Sequence, residues 1–370
     1  MINNNNTYTK KKSDVNTVSC RHGGDVYTKR IMKYADKIVD FSANINPLGM
    51  PDNVKNAIIE NIDAYECYPD PFCRELRDAI AKVENTKPQN ISCGNGAADI
   101  IYKLAWGLKP QKALLLAPTF SEYEQALNTV SCKVEYYNLK QENEFQLDED
   151  ILDCITDDID IMFVCNPNNP TGIVTPKPLM KKILDQCKCC GAILIVDECF
   201  MDFVMDEEQY SISSMIESYD NLVIMKAFTK IYAMAGIRLG YMLCSNQNII
   251  YSVNNASQSW SVSTVASKCG IAALNNSDYV NKTKQMIKQN REYLIIELNS
   301  LGFRTFDSST NYILFYTDNV TIQTELEQYG VLIRNCDNYH NLKSGFYRIA
   351  VKSQKDNQYL IECIRKVVTE

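Results

Sequence analysis

Short apolar runs alternate with helix-period stretches through the middle of the chain. Short runs at 112–116, 133–138, 160–164, 192–196 and 222–226 read as strands, and amphipathic periodicity at 97–106, 121–129, 148–155 and 178–188 reads as helices between them. Strands of this kind separated by amphipathic helices predict a mostly parallel sheet covered on both faces, an α/β fold. Upstream, 38–49 predicts a short extended run closed by a Pro/Gly turn, and helices are expected at 52–62 and 72–83. Helices dominate 247–300. Beyond them, strands at 303–306, 312–316, 331–334 and 346–350 with helices at 320–329 and 354–367 predict a smaller α+β layer. The expected organisation is a mobile tail over 1–18, a large α/β domain over 50–260, and a small α+β domain built from 19–49 together with 261–370.

Composition narrows the class. A chain of 370 residues with 45% hydrophobic content can bury a large core and fill two domains. Its net charge of -7 argues against nucleic acid or an anionic membrane as partner and for a soluble enzyme. No run of about 18 apolar residues is present, so a cytoplasmic protein is expected. The 15 cysteines are scattered without the spacing of a small disulfide scaffold and read as free thiols. Cys187, Cys189 and Cys190 cluster at helical spacing in a chain with only two histidines, and no metal site is expected.

The chemistry should lie just after the predicted strands, because ligands of open α/β sheets bind outside the strands' carboxyl ends. Within 226–241, Lys230 falls on a turn between two apolar strands, the second expected from Arg238 onward. Desolvation there would lower its pKa and leave a neutral amine able to attack a carbonyl. Arg238 can return positive charge to the same spot, a pairing that suits a phosphorylated aldehyde. Asp197 ends the strand at 192–196, where a buried carboxylate needs a cation such as a protonated pyridine nitrogen. Asn169, in the Asn-Pro-Asn-Asn-Pro-Thr-Gly turn after the strand at 160–164, can donate its amide to a ring oxygen. Gly94 to Asp99 opens a helix, and free N–H groups at Gly96, Ala97 and Ala98 suit a phosphate, with Thr229 and Arg238 at hand. Phe120 is expected to stack on a planar ring.

The Asn-Pro-x-Asn-Pro-Thr-Gly, Asp-Glu-x-Phe, Thr-Lys and Arg-Leu-Gly-Tyr segments, in this order, resemble those of the class I/II aminotransferase superfamily of pyridoxal-phosphate enzymes. The resemblance implies an aspartate-aminotransferase-like fold, pyridoxal phosphate held covalently by Lys230, and a homodimer in which Tyr68 reaches the phosphate of a second subunit. It also implies that Arg348, in Tyr-Arg-Ile-Ala, grips a substrate α-carboxylate. Two departures stand out: Phe200 where many members have tyrosine, and Ala227 where a phosphate-binding serine or threonine is common. His22-Gly-Gly, Asp40 to Gly49, Tyr68 to Pro71 and Ile333 to Tyr339 resemble the threonine-phosphate decarboxylases of cobalamin synthesis, and histidinol-phosphate aminotransferases share much of this pattern. By that resemblance His22, Gly23, Asn44 and Arg334 join Asn169 and Arg348 on a phosphorylated amino acid substrate. Decarboxylation is the expected reaction and transamination the alternative, since both would use the same residues.

Overall fold

The computed structural model describes residues 23–26 and 38–369. The expected tail over 1–18 and the candidate His22 lie outside them. The main sheet has seven strands: β2 (Ile91–Gly94), β3 (Lys112–Ala117), β4 (Lys133–Asn138), β5 (Ile161–Cys165), β6 (Ile193–Asp197), β7 (Leu222–Ala227) and β8 (Gly240–Leu243), preceded in the chain by the two-residue β1 (Val39–Asp40). Their spatial order is β2-β8-β7-β6-β5-β3-β4, parallel throughout except for β8. β5 is buried along its whole length and β6 and β7 nearly so, which is why they read as unbroken apolar runs. The order reverses between β3 and β5, the place where such sheets open a crevice.

The antiparallel strand matters most for the site. β5, β6 and β7 end at one edge of the sheet, and β8, running the other way, begins there. Residues before β8 therefore meet residues after the other strands.

A second, four-stranded antiparallel sheet is formed by β9 (Arg304–Thr305), β10 (Tyr312–Tyr316), β12 (Arg334–Asn335) and β13 (Phe346–Ala350) in the order β12-β13-β10-β9. β11 (Val331–Leu332) pairs instead with β1, Val39 facing Val331. The strand expected over 331–334 is thus divided at Ile333, where the chain passes from one sheet to the other. Register in the second sheet sets Arg334 directly opposite Arg348.

Several expected elements shift. The helix expected from 72 starts at Arg74, because the Asp70 carboxylate accepts from Phe72 N and Arg74 N and holds the preceding turn. The helix expected over 148–155 is a 3-10 turn at Glu149–Cys154. β2 was not expected, since Ile-Ser-Cys-Gly is too short to show a period. Arg238 precedes β8 rather than starting it, with a left-handed φ of 62°. The helix Thr264–Ala273 shares a buried cluster with Val54, Leu76 and Ile80.

The Cys187–Cys190 stretch ends the helix Lys177–Cys189, with Cys187 buried and Cys190 Sγ donating to the Ile155 carbonyl. Among the described residues no helix is long and apolar enough to cross a membrane.

On the face of β7 away from the crevice, Lys226 Nζ bonds both Glu84 carboxylate oxygens at 2.9 and 2.8 Å, and Tyr241 Oη donates to the same carboxylate at 2.6 Å. Burial alone would lower the Lys226 pKa, but Glu84, Glu198 and Asp202 outweigh it and hold the ammonium charged. Glu84→Ala is expected to cost about 3 kcal/mol in urea unfolding, because it strands a largely buried cation. Adding Lys226→Met should recover much of that loss; a Glu84 variant as stable as the wild type would show the pair to be peripheral.

Candidate active site

At the carboxyl edge of the main sheet, roofed by the second sheet, lies a cavity of about 320 Å³. Lys230, Asp197, Asn169, Phe120, Thr229 and Arg238 line it from the large layer. Ala97 and Ala98 enter from the start of the helix Ala97–Leu108. Arg334 and Arg348 close it from the second sheet, and Gly23 and Asn44 from the N-terminal segment. Gly96 stands just behind the wall. Tyr68 is not among the lining residues: it is 80% exposed and stacks on Trp260 at 4.6 Å.

Lys230 sits on a single helical turn, Phe228–Ile231, that follows β7 directly. Its amine lies 5.6 Å from the centre of the Phe200 ring. Burial comes first among the causes that bring its pKa down from 10.5 to about 8, and the positive charges of Arg348 and Arg238 push the same way. The lysine is therefore a nucleophile close to neutral pH.

Asp197 is nearly buried, and each carboxylate oxygen has a donor. Tyr123 Oη gives its hydrogen to Oδ2 at 2.6 Å, and Cys199 N donates to Oδ1 at 3.0 Å. Burial and then the Asp197 charge raise the Tyr123 phenol well above its ordinary pKa, so it remains a donor. The carboxylate is fixed with lone pairs left over for a cationic ligand group.

Arg348 is held from two sides. Its Nη1 donates to Asn169 Oδ1, and its Nη2 donates to the Ser42 carbonyl at 3.1 Å. Its Nε and Asn44 Oδ1 are buried with no hydrogen-bond partner among the described residues. Because Asn169 accepts through its oxygen, its amide nitrogen stays available as a donor. Tyr312 lies beneath the Arg348 guanidinium at 5.4 Å and donates its hydroxyl to the Asn168 carbonyl at 2.8 Å, tying the asparagine turn to the second sheet.

The helix Ala97–Leu108 starts at Gly96 without a side-chain cap, so its first-turn N–H groups are open to an anion. Gly96 has φ of 84°, and a Cβ there would come within 2.6 Å of Arg238 Nη2. A Cβ at Gly240 would press to 2.7 Å from Ala97 N. Only glycine at both positions lets Arg238 and the helix start approach closely. Together with Thr229 they form a cradle of phosphate size and charge.

Ser42, Tyr123, Tyr339 and Cys199 are site residues that sequence reasoning had not assigned. Ser42 acts through its carbonyl, which leaves no trace in sequence. Tyr123 had a signal, since it stands one helical turn after Phe120 and follows a strand end. Tyr339 lies 5.6 Å beneath the Arg334 guanidinium, which also bonds Asn338 Oδ1 at 2.7 Å.

A family model for aminotransferase class I and II matches residues 36–364. A threonine-phosphate decarboxylase of Salmonella typhimurium is 34% identical over 353 residues, covering 94% of this chain and 96% of that protein. A histidinol-phosphate aminotransferase of Clostridium novyi is 30% identical over 346 residues, covering 92% and 93%. The crystal structure of the histidinol-phosphate aminotransferase of Clostridium acetobutylicum superimposes with a TM-score of 0.84 at 31% identity, over 89% of this chain and 98% of that one.

The lowered pKa of Lys230 gives a signed pH dependence. Below about 8 its amine is protonated and inert; above, it is neutral and reactive. Adduct formation with a small aldehyde, trapped by reduction and mapped by peptide, is expected to rise at Lys230 through a midpoint near pH 8, ahead of the other lysines. Arg348→Leu removes a neighbouring positive charge and should move that midpoint upward. A Lys230 adduct that titrates with the surface lysines would contradict this placement.

Proposed function

The chain belongs to the aminotransferase class I and II family, and we propose that it is a pyridoxal-phosphate enzyme that decarboxylates a small phosphorylated amino acid. The substrate we favour is O-phospho-L-threonine, leaving (R)-1-amino-2-propanol phosphate, in keeping with the decarboxylase relative. One observation carries the choice of substrate class: Arg334 and Arg348 stand opposite each other across β12 and β13. Like charges so opposed repel. A ligand with two anionic groups, a carboxylate and a phosphate, offsets that repulsion and uses both guanidinium groups.

The residues present fit pyridoxal phosphate. Thr229, Arg238 and the N–H groups of Ala97 and Ala98 suit its phosphate, Asp197 its ring nitrogen, the free amide of Asn169 its ring oxygen, Phe120 its face and Lys230 its aldehyde. When bound, the cofactor supplies a carbonyl that takes up amines and a protonated ring that withdraws electrons.

The chain's own residues set the rest. Asp197, fixed by Tyr123 and Cys199 N, places negative charge where a ring N–H needs it. Arg348 lines the cavity and would take the substrate carboxylate while Asn169 and Ser42 hold the guanidinium still. Holding the carboxylate in one orientation would select its bond to the α-carbon for cleavage, with loss of carbon dioxide. Lys230, with its pKa near 8, can hold a proton and return it to the α-carbon. Arg334 takes the substrate phosphate, with Asn44 and Gly23 lining the same cavity, and by the family resemblance His22, outside the described residues, would join them. In a homodimer, Tyr68 would serve the neighbouring chain's phosphate cradle.

Wild-type enzyme given O-phospho-L-threonine is expected to release carbon dioxide and an amine phosphate with no keto acid added. Turnover of histidinol phosphate that requires a keto acid, with no carbon dioxide from any phosphoamino acid, would instead make the enzyme a transaminase.

Substitution separates the two arginines. Arg334→Ala should weaken phosphorylated substrates by about 2–4 kcal/mol while leaving slow reaction of the unphosphorylated amino acid nearly unchanged. Arg348→Lys should damage every α-carboxylate substrate, because one ammonium cannot replace the fork. Equal effects of Arg334→Ala on both substrate types would take the phosphate away from Arg334.

A further inference from the structure

The stretch from Phe41 to Asn46 touches both ends of the reacting centre. At its start, the Phe41 carbonyl accepts from Ala350 N of β13 at 2.8 Å, and the Ser42 carbonyl accepts from Arg348 Nη2 at 3.1 Å. At its other end, Asn46 N donates to the carbonyl of Lys230 itself at 3.3 Å. Asn46 Nδ2 donates to the Ile231 carbonyl at 2.7 Å and to Thr283 Oγ1 at 2.9 Å, on the long helix Ser277–Ser300. Asn46 Oδ1 accepts from Leu48 N at 3.0 Å. The Thr283 hydroxyl gives its own hydrogen to the Tyr279 carbonyl at 2.8 Å, so toward Asn46 it can only accept. Asn46 is buried, and both side-chain donors and the acceptor are used. A buried amide satisfied so fully is locked in orientation and fixes what it touches.

Asn46 does not line the cavity. What it fixes is the turn that carries Lys230, seen from the same strap that braces Arg348. Arg348 and Lys230 come from different layers, and the reaction requires them to keep one spacing about the substrate's α-carbon.

We propose that Asn46 is a positioning residue that sets the Lys230 turn against the Arg348 end of the strap and so aligns the lysine amine with the bound carboxylate. This rests on the roles given to Lys230 and Arg348 above. Its signature is loss of alignment without loss of binding, because no substrate contact is removed.

The test compares cofactor-loaded, full-length wild type with Asn46→Ala, Asn46→Asp and Thr283→Val. Asn46→Asp keeps the acceptor for Leu48 N but replaces the two donors with a carboxylate oxygen facing the Ile231 carbonyl and Thr283 Oγ1. Both Asn46 variants are expected to lose about 10- to 100-fold in kcat while KM stays within about threefold, the effect of a small misplacement of a reacting group. Thr283→Val, which cuts only the tie to the helix, should lose less. A second readout needs no substrate: the pH midpoint of the bound cofactor's visible absorbance change, which reports on Lys230, should move in the Asn46 variants. Thermal unfolding checks that each variant is folded, and if Asn46→Ala is not, Asn46→Asp and Thr283→Val carry the comparison. Unchanged kcat and absorbance midpoint in Asn46→Asp overturn the proposal, as does a loss that falls wholly on KM. A wild type that releases no carbon dioxide from O-phospho-L-threonine would instead count against the proposed reaction, and the absorbance titration would still decide the role of Asn46.

Discussion

A lysine amine is kept out of water with its charged form disfavoured, and the arrangement around the cavity follows from that. Burial disfavours the ammonium, and two arginines facing the same space disfavour it further, bringing Lys230 to about 8. One of them, Arg348, also opposes Arg334 across paired strands, which would be an electrostatic liability in an empty protein. The proposed anionic ligands resolve both problems. A phosphate at Arg238 and a carboxylate and phosphate at Arg348 and Arg334 return negative charge to a site built with an excess of positive charge.

Lys226 makes the contrast clear. It stands four residues before Lys230 on the same strand and turn, yet faces Glu84, Glu198 and Asp202 and is held charged. Those carboxyls bear the cost of burial: Glu198 is pushed up to about 7 and Asp202 to about 6, burial being the main cause in each. Two nearby lysines thus have opposite character, one a structural cation and the other a nucleophile. Side-chain chemistry does not separate them; the groups around each do, carboxylates around Lys226 on β7 and arginines around Lys230 on the turn after it.

The sheet delivers these groups because of one reversed strand. β5, β6 and β7 end at the crevice with Asn169, Asp197 and Lys230 just beyond, as strand-end logic requires. β8 enters from that edge, so Arg238 and Gly240 meet the start of the helix Ala97–Leu108. The second sheet then lowers Arg334 and Arg348 onto the opening. The Phe41–Asn46 strap links that sheet to the Lys230 turn by backbone and amide bonds.

By itself the sequence determined the alternation of strands and helices and the residues that follow the strand ends, because hydrophobic period and turn chemistry are local. Lys230, Asp197, Asn169 and the Gly96–Ala98 helix start were legible for that reason, and motif resemblance added Arg334 and Arg348. Only the tertiary structure decided that those two arginines face each other, that the Ser42 carbonyl holds Arg348, that Tyr123 donates to Asp197, and that β11 and β12 part at Ile333. Each depends on register or on backbone atoms brought together across long stretches of chain, and neither side-chain identity nor local period encodes such meetings. The lowered pKa of Lys230 belongs with them, since a pKa is set by burial and by charges that only the folded chain assembles.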